Sequence, residues 1–230
     1  MSQLCKDKIS CPNCQTEGEF EYWSSVNVDL DPELKKKIFN EEIFIWTCPK
    51  CGAKVFVPFG TLYHDMSHKF MIFFSHTEDE EKKDYEMWAM PEELGLHKDY
   101  ILRVVKGLLN FKEKILILEN GLNDIAVEKL KYTFTHHTDP SMVEKGWRLY
   151  FEGITKPDKD NEYGQIVFYR LCPNDEDSCH LALPMEKYYE QCLSLKLDKR
   201  FAVGDCACVD EEWISRKIKE VESLLSTKNR

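Results

Sequence analysis

Two short cysteine pairs constrain the fold of this chain more than any other feature of its sequence. Cys11 and Cys14 lie in the segment CPNC, and Cys48 and Cys51 lie in the segment CPKC. Both pairs have the same spacing and a proline directly after the first cysteine, a repetition that argues against chance. Two tight turns that each present two thiolates supply the four soft ligands of a closed tetrahedral zinc site. The sequence therefore predicts one Zn²⁺ bound by these cysteines, with free thiols or a redox pair as alternatives.

The residues around the second pair favour a structural metal site over a redox motif. A thioredoxin-like motif needs only one such pair, at a helix N-terminus that lowers the thiol pKa. Here the second pair is followed by Gly52 and by the β-type segment KVFVP. Glycine permits the positive φ that lets backbone N–H groups point at the sulfur atoms. Because four thiolates saturate the ion, whereas catalytic zinc keeps an open position for water, we expect a structural zinc.

The segment between the pairs predicts a strand and a short helix. Apolar and polar residues alternate through Phe44 and Trp46, as in a half-buried strand. Asp31 is a good N-cap residue and proline suits the first helical position, so a helix is expected over Pro32–Phe39. The pattern predicts a zinc ribbon with a helical insert.

With these segments in order, the sequence resembles the CpXC domain family, which is named for its two Cys-Pro-x-Cys motifs. The resemblance covers residues 9 to about 131. It rests on the two cysteine motifs and on the stretches VNVDLDPELKKKIFN, FIWTCPKCG, LYHDMSHKFMI and ILRVVKGLLNFKEKILILENGLNDIAVEKLK. The resemblance implies that the four cysteines form the metal site. It implies little about activity, because the family is functionally uncharacterised.

The segment HDMSH offers a second candidate site. His64 and His68 are four residues apart with Asp65 between them, as in a helix that presents two zinc ligands beside a carboxylate base. The metallopeptidase pattern, however, has glutamate directly after the first histidine, and the following KFMIFF is typical of a strand. We therefore expect these histidines to make ordinary hydrogen bonds in a turn or at the start of a strand.

The next part of the chain predicts helices that cover the sheet. Apolar residues recur at helical spacing over residues 96–110, at positions Leu96, Tyr100, Ile101, Val104, Val105, Leu108 and Leu109. The segment FKEKILILENG and the stop signal at Gly121 predict a second helix. Asn123 or Asp124 then caps a third helix, which runs through about Phe134.

After Asp139 the pattern changes to β-type segments separated by turns. GWRLYFEG and QIVFYRL predict a hairpin, which forms part of a second region or extends the sheet of the first. Helices are expected from residue 185 to about 195 and from Asp210 onwards, the latter with an apolar face formed by Trp213, Ile214, Ile218, Val221 and Leu225. The predicted fold class is α+β, with a zinc-binding domain over residues 9–138 and a smaller α+β region over residues 139–230.

The second half contains five further cysteines. These are Cys172, Cys179, Cys192, Cys206 and Cys208, and His180 lies beside one of them. A second metal site is an alternative, but the segments LCPNDEDSCH and CAC match no zinc-ligand spacing. We expect plain thiols, because buried free cysteine behaves as a small apolar residue.

Composition and charge narrow the function classes. The 230 residues carry a formal net charge of -10 and no block rich in lysine and arginine, which argues against duplex nucleic acid or a membrane surface as partner. No apolar run approaches the roughly 18 residues that span a bilayer, and the N-terminus shows no signal-peptide pattern, so we expect a cytoplasmic protein. No phosphate-binding loop or dinucleotide fingerprint is present.

Together these features predict a non-enzymatic, zinc-stabilised protein that binds another protein. The first alternative is an enzyme with a polar site at His64 and Asp65, joined by Arg103 or Asp124. The second is a zinc ribbon that binds single-stranded nucleic acid through exposed aromatic residues, against which the acidity of the chain counts. The sequence does not indicate an oligomeric state.

Overall fold

The structure, a computed structural model, describes residues 1–76, 100–173, 178–198, 201 and 208–228, with side chains described up to residue 219. It divides into two compact units, Met1–Lys112 and Glu113–Arg230. Helices and a mixed sheet occur together, so the predicted α+β class is confirmed. The domain boundaries predicted at residues 9–138 and 139–230 stay predictions. Among the helices of the described residues, none has the length and apolarity needed to cross a bilayer.

The first unit is built mainly from strands. Its strands are β1 (Gln3–Ser10), β2 (Glu17–Asn27), β3 (Ile45–Thr47), β4 (Lys54–Phe56), β5 (Thr61–Asp65), β6 (Phe70–Ser75) and β7 (Ile101–Lys106). Its helical segments are α1 (Pro32–Phe39), a 3-10 turn (Glu42–Phe44) and the first residues of α2 (Leu108–Glu119), the helix in which the two units join.

Five of these strands form a mixed sheet in the order β1, β2, β5, β6, β7. The pairs β1–β2 and β5–β6 are antiparallel, and the pairs β2–β5 and β6–β7 are parallel. Strands β3 and β4 form a separate antiparallel pair. The first cysteine pair lies in the turn that joins β1 to β2, and the second lies in the turn that joins β3 to β4. Each pair is therefore held at the tip of a hairpin.

The predicted helix between the cysteine pairs is confirmed as α1. Leu34 and Ile38, one turn apart on the helix, are buried, and Pro32 occupies its first position. Asp31 lies at the N-cap position, but its side chain makes no capping hydrogen bond. The helix is therefore stabilised by its buried face rather than by its cap.

The helix predicted over residues 96–110 is wrong over Ile101–Lys106, whereas residues 108–110 belong to helix α2. Ile101–Lys106 forms strand β7, with Leu102, Val104 and Val105 buried. A parallel strand buried on both faces has a near-continuous apolar pattern, which cannot be distinguished from a short helical stripe by spacing alone. Gly107, with a φ of 78°, separates this strand from α2. Residues 96–99 lie outside the described part of the chain.

Aromatic side chains fill the core of the first unit. Tyr63 stacks on Phe70 with 5.9 Å between ring centroids, and Phe74 stacks on Phe111 at 5.0 Å. All four side chains are buried. Because Phe111 belongs to the first turns of α2, the start of this helix packs against the sheet.

The second unit combines helices with a three-stranded antiparallel sheet. Its helices are the rest of α2, α3 (Asp124–Thr133), a π-helical segment (Phe134–Thr138), α4 (Ser141–Glu144), α5 (Met185–Leu197) and α6 (Glu211–Lys228). Its strands are β8 (Arg148–Ile154), β9 (Gln165–Leu171) and β10 (Cys179–Pro184), in the order β10, β9, β8.

Most elements predicted for this unit are confirmed. The helix from FKEKILILENG, the hairpin β8–β9 and the last two helices are present, whereas strand β10 was not predicted. Asn123 caps α3, since its side-chain oxygen accepts from the N–H groups of Ile125 at 3.0 Å and Ala126 at 3.1 Å. On α6, Trp213 and Ile214 are buried as expected. The side chains at positions 221 and 225 lie outside the described residues.

Candidate metal centre

The two cysteine pairs fold into turns with the same hydrogen bonds. The carbonyl of Cys11 accepts from the N–H of Gln15 at 2.9 Å, and the N–H of Cys11 donates to the carbonyl of Thr16 at 3.0 Å. The second turn repeats both bonds. The N–H of Gly52 donates to the carbonyl of Cys48 at 3.0 Å, and the N–H of Cys48 donates to the carbonyl of Ala53 at 2.9 Å. The repeated sequence motif thus produces a repeated backbone structure.

A left-handed residue completes each turn. Gly52 has a φ of 70°, as its position after the last cysteine predicted. Gln15 occupies the same place in the first turn with a φ of 57°, which is uncommon for a residue with a side chain. No local pattern predicts this, because a glutamine does not mark a left-handed position.

The four sulfur atoms converge at the spacing that a metal ion requires. The Sγ atoms of Cys11 and Cys51 lie 3.6 Å apart, as do those of Cys14 and Cys48, and all four lie within 4.8 Å of one another. Four sulfurs bound tetrahedrally at ~2.3 Å from one Zn²⁺ would be about 3.8 Å apart. A disulfide would need an S–S distance of ~2.05 Å. The arrangement fits a four-thiolate metal site.

Hydrogen bonds favour the thiolate form of two of these cysteines. The hydroxyl and the backbone N–H of Thr16 lower the pKa of Cys14. The backbone N–H of Ala53, with the side-chain amide of Asn13, lowers the pKa of Cys51 to about 6. Each N–H group follows the left-handed residue of its turn, so the turn geometry directs a backbone donor at a sulfur.

Burial has the opposite effect on Cys11, because it removes the thiol from water and raises its pKa to about 11. Cys11 and Cys48 are buried, whereas Cys51 is exposed. A bound cation would offset the cost of holding buried thiolates, since a coordinating thiol is deprotonated. The buried and exposed sulfurs together place the metal site at the surface of the first unit.

Trp46 joins the two turns. Its indole N–H donates to the carbonyl of Glu19 at 2.9 Å, and its ring lies against Gly18. Gly18 stands at the start of β2, directly after the first turn, and Trp46 precedes the second turn on β3. This contact between distant parts of the sequence could not be predicted from it.

The HDMSH segment forms the turn of a hairpin rather than a helix. It spans the end of β5 and the connection to β6. The Asp65 carboxylate accepts from the N–H of His68 at 2.8 Å and lies 2.8 Å from its Nδ1. Among the described residues, the group of His, Cys, Asp and Glu side chains close enough to share a metal ion is the four-cysteine cluster. The prediction of a hydrogen-bonded turn residue is confirmed for His68, whereas His64 lies within strand β5.

His64 and Asp65, the two central residues of the alternative enzyme site, do not lie side by side. His64 and Asp65 point to opposite faces of β5, since successive side chains alternate along a strand. His64 lies 3.4 Å from both the Asn27 amide and the Tyr100 hydroxyl, and burial lowers its pKa. Arg103 donates to the carbonyl of Leu102. Asp124 belongs to the second unit, where it pairs with Lys114 at 3.0 Å.

Comparison with known proteins identifies the family of this chain. A family model described as CpXC protein matches residues 9–131. The chain belongs to the CpXC family. The CpXC match includes all four clustered cysteines and ends within α3. No curated protein and no solved structure gives a significant match.

The five cysteines of the second half of the chain lie far from the metal centre in sequence. Cys172 is buried, Cys192 and Cys208 are half-buried, and Cys179 is exposed. Within the part of the chain that the structure describes, none of them joins a group of potential metal ligands. Cys206 lies outside the described residues, so the prediction of plain thiols in this region stays a prediction.

A shallow groove of about 600 Å³ lies between β2 and β3. Its lining combines apolar and acidic side chains from β1, β2, α1, the 3-10 turn and β3. These residues are Leu4, Glu19, Phe20, Glu21, Trp23, Lys37, Glu42, Ile43, Ile45, Trp46 and Thr47. Trp46 lines the groove and also makes the contact that joins the two cysteine turns. The shape of the groove and the position of the two turns therefore depend on the same side chain.

Proposed function

We propose that this protein is a protein-interaction module, built as a zinc ribbon with a helical insert and stabilised by one structural Zn²⁺. Cys11, Cys14, Cys48 and Cys51 hold the ion. The groove between β2 and β3 is the contact surface for a protein partner. The proposal places the protein in the cytoplasm, where thiols stay reduced and available for metal.

The spacing of the four sulfurs supports the structural zinc. Distances of 3.6 Å match a tetrahedral thiolate shell, and thiolates select zinc over hard cations such as Mg²⁺ and Ca²⁺. With four protein ligands the ion has no open position for a water or a substrate. The ion holds the two hairpin tips together. Together with the Trp46 contact, it fixes the relative positions of β2 and β3.

The groove is the observation that supports an interaction function. Leu4 is 44% exposed and Ile45 is 37% exposed, although both are large apolar residues. Both line the groove together with the partly exposed ring of Trp23. Exposed apolar residues beside charged ones on a concave surface are typical of a protein contact site.

A photoreactive benzophenone amino acid at position 45 of the zinc-loaded full chain tests this function in cells. Position 154 is the control, because Ile154 is 44% exposed and lies on a strand of the second unit. We expect position 45 alone to crosslink a partner, and the purified partner to bind the Leu4→Asp variant roughly tenfold more weakly than the unmodified chain. Crosslinking from neither position, or from both equally, would contradict a contact surface at the groove.

A further inference from the structure

We propose that His64 is a pH-sensitive clamp of the first unit. Its neutral imidazole holds the end of β2 and the start of β7 to β5, and protonation of the imidazole releases them. The hydrogen bonds around the ring accept only one of its protonation states. The two side chains that the ring contacts, Asn27 and Tyr100, neither line the groove nor belong to the four-cysteine cluster.

The clamp lies at a narrow join in the five-stranded sheet. β2 and β5 share three residue pairs, Ser25–Asn27 against Leu62–His64, whereas β1 and β2 share eight. Asn27 and His64 form the last of the three pairs, and beyond it the N–H of Val28 donates to the carbonyl of His64 at 3.1 Å. The join between β1–β2 and the rest of the sheet therefore ends at His64.

The Asn27 side chain faces His64 in one orientation only. Its oxygen accepts from the N–H groups of Asp29 at 3.1 Å and Leu30 at 3.2 Å, so its NH₂ group is the end that points at the ring. Asn27 is buried, and turning its amide over would leave two backbone N–H groups without their acceptor. An NH₂ group donates and cannot accept. Nδ1 of His64, which lies 3.4 Å away, is therefore the acceptor.

This contact fixes the tautomer of His64. With Nδ1 unprotonated, the neutral ring carries its proton on Nε2, which lies 3.4 Å from the hydroxyl oxygen of Tyr100 and donates to it. The ring thus links the last residue of β2 to the residue directly before β7. A proton added at Nδ1 would set an N–H against the NH₂ group of Asn27, donor against donor. The charged ring cannot keep the contact.

The surroundings of the ring act on its charge in both directions. Burial of the half-buried side chain is the largest effect and disfavours the imidazolium form, as does the amino group of Met1. The carboxylates of Asp29, which follows β2, and Asp65, which ends β5, favour it. Burial prevails, so the pKa of His64 lies below its ordinary value of 6.5.

Acid therefore opens the clamp. The folded state favours the neutral ring, so the contribution of the contact to stability is fully present above pH 6.5 and is lost as pH falls below this value. The carboxylate of Asp29 still accepts from the N–H of Met66 at 2.6 Å. We expect a local opening of the join between β2 and β5 rather than unfolding of the whole unit.

Long-range ¹H–¹⁵N nuclear magnetic resonance of the imidazole rings reads the protonation state and the tautomer of His64. The sample is the zinc-loaded full chain between pH 8 and pH 5, and the His64→Gln variant assigns the signal by its absence. We expect the Nε2–H tautomer at pH 8 and a titration midpoint below 6.5. The Nδ1–H tautomer, or a midpoint at or above 6.5, would overturn the clamp.

Asn27→Asp separates the contact with Asn27 from simple burial of the ring. One aspartate oxygen can still accept from Asp29 and Leu30, while the other presents an acceptor to Nδ1 in place of a donor. We expect the midpoint of His64 to move above 6.5, because a carboxylate at this distance favours the imidazolium. Asn40→Asp, at an exposed position of the same unit, should leave the midpoint unchanged. A midpoint that stays low in Asn27→Asp would contradict the role of the Asn27 amide.

Hydrogen exchange of the Val28 amide measures the opening itself and does not need the Asn27→Asp variant to fold. Its protection factor, which is corrected for the intrinsic pH dependence of exchange, should fall by up to about tenfold per pH unit below 6.5. In His64→Gln the side chain can accept from Asn27 but cannot be protonated, so the protection factor should not change with pH. Both chains keep the four cysteines, so any loss of metal in acid affects them alike. The same pH dependence in both chains would show that His64 does not control the join.

Discussion

The indole ring of Trp46 lies so close to Gly18 that a Cβ atom at Gly18 would be 2.5 Å from the ring. Only a residue without a side chain fits this position. The contact holds the start of β2 against β3, and each of these strands adjoins one cysteine turn. The distance between the two halves of the metal centre therefore depends on it.

Gly18→Ala should destabilise the protein by about 1–3 kcal/mol, because the added methyl group must displace a packed aromatic ring. The measurement is the free energy of unfolding of zinc-loaded protein in denaturant. Gly153→Ala is the matched control, since Gly153 also lies in a strand and a Cβ there would meet no atom within 4 Å. Equal effects of the two substitutions would show that the contact between Gly18 and Trp46 is not tight.

The left-handed residues of the two cysteine turns should respond to substitution with opposite signs. Gln15→Gly removes a side chain from a position with a φ of 57° and should stabilise the protein by about 0.5–1 kcal/mol. Gly52→Ala introduces a Cβ at a φ of 70°, where it meets no neighbouring atom, and should destabilise by about 1 kcal/mol through backbone strain alone. Unfolding experiments on both variants check this. A change of the same sign in the free energy of unfolding of both variants would contradict the equivalence of the two turns.

A buried cluster of two carboxylates and one ammonium group in the second unit should make stability depend on pH. Both oxygens of Glu113 accept from Lys131, at 3.0 and 3.1 Å, and one of them also accepts from the N–H of Phe151 at 2.6 Å. Glu128 accepts from Lys131 through one oxygen, while its other oxygen is buried without a hydrogen-bond partner. Burial raises the pKa of Glu128 to about 7, against the attraction of Lys131.

The direction of the pH effect follows from this raised pKa. Protonated Glu128 favours the folded state, and its contribution is fully present below the ordinary pKa of 4.5 and is lost as pH rises to about 7. Above pH 7 the free energy of unfolding is lower by about 3 kcal/mol as a result. Glu128→Gln keeps the shape without the charge, so its free energy of unfolding should exceed that of the unmodified protein at pH 8 and approach it at pH 4.

Denaturant unfolding at several pH values between 4 and 8 measures this difference. Glu144→Gln is the control, because Glu144 is exposed on α4 of the same unit. Its stability should follow that of the unmodified chain at every pH. A Glu128→Gln variant that is less stable than the unmodified protein at pH 8 would show that the ionised carboxylate is needed for the fold.

Sequence patterns predicted those features that depend on neighbouring residues. The cysteine turns, helix α1 and the Asn123 cap each arise within a few residues, so motif, cap and proline signals suffice. Strand β7 was mistaken for a helix because its partner Phe70–Ser75 is far away in the sequence, and parallel pairing leaves no local signal. The contact between Trp46 and Gly18 was missed for the same reason. The groove depends on that contact and could not be predicted either.

The metal centre offers the most direct test of the account, through the metal content of the purified protein and three substitutions. Cys48→Ser removes one of four ligands. Cys179→Ser makes the same chemical change at an exposed cysteine of the second unit, and His64→Ala removes the first histidine of HDMSH. Metal affinity of a structural site is coupled to folding, so only the first change should lose metal. His64→Ala should cost about 0.5–3 kcal/mol, as an ordinary half-buried substitution does.

Elemental analysis of the unmodified protein and these variants measures zinc per chain. We expect one equivalent of zinc in the unmodified protein, in Cys179→Ser and in His64→Ala, and loss of zinc in Cys48→Ser. Folded unmodified protein without zinc, a second full equivalent, or a His64→Ala variant that loses zinc while Cys48→Ser keeps it would contradict the four-cysteine site.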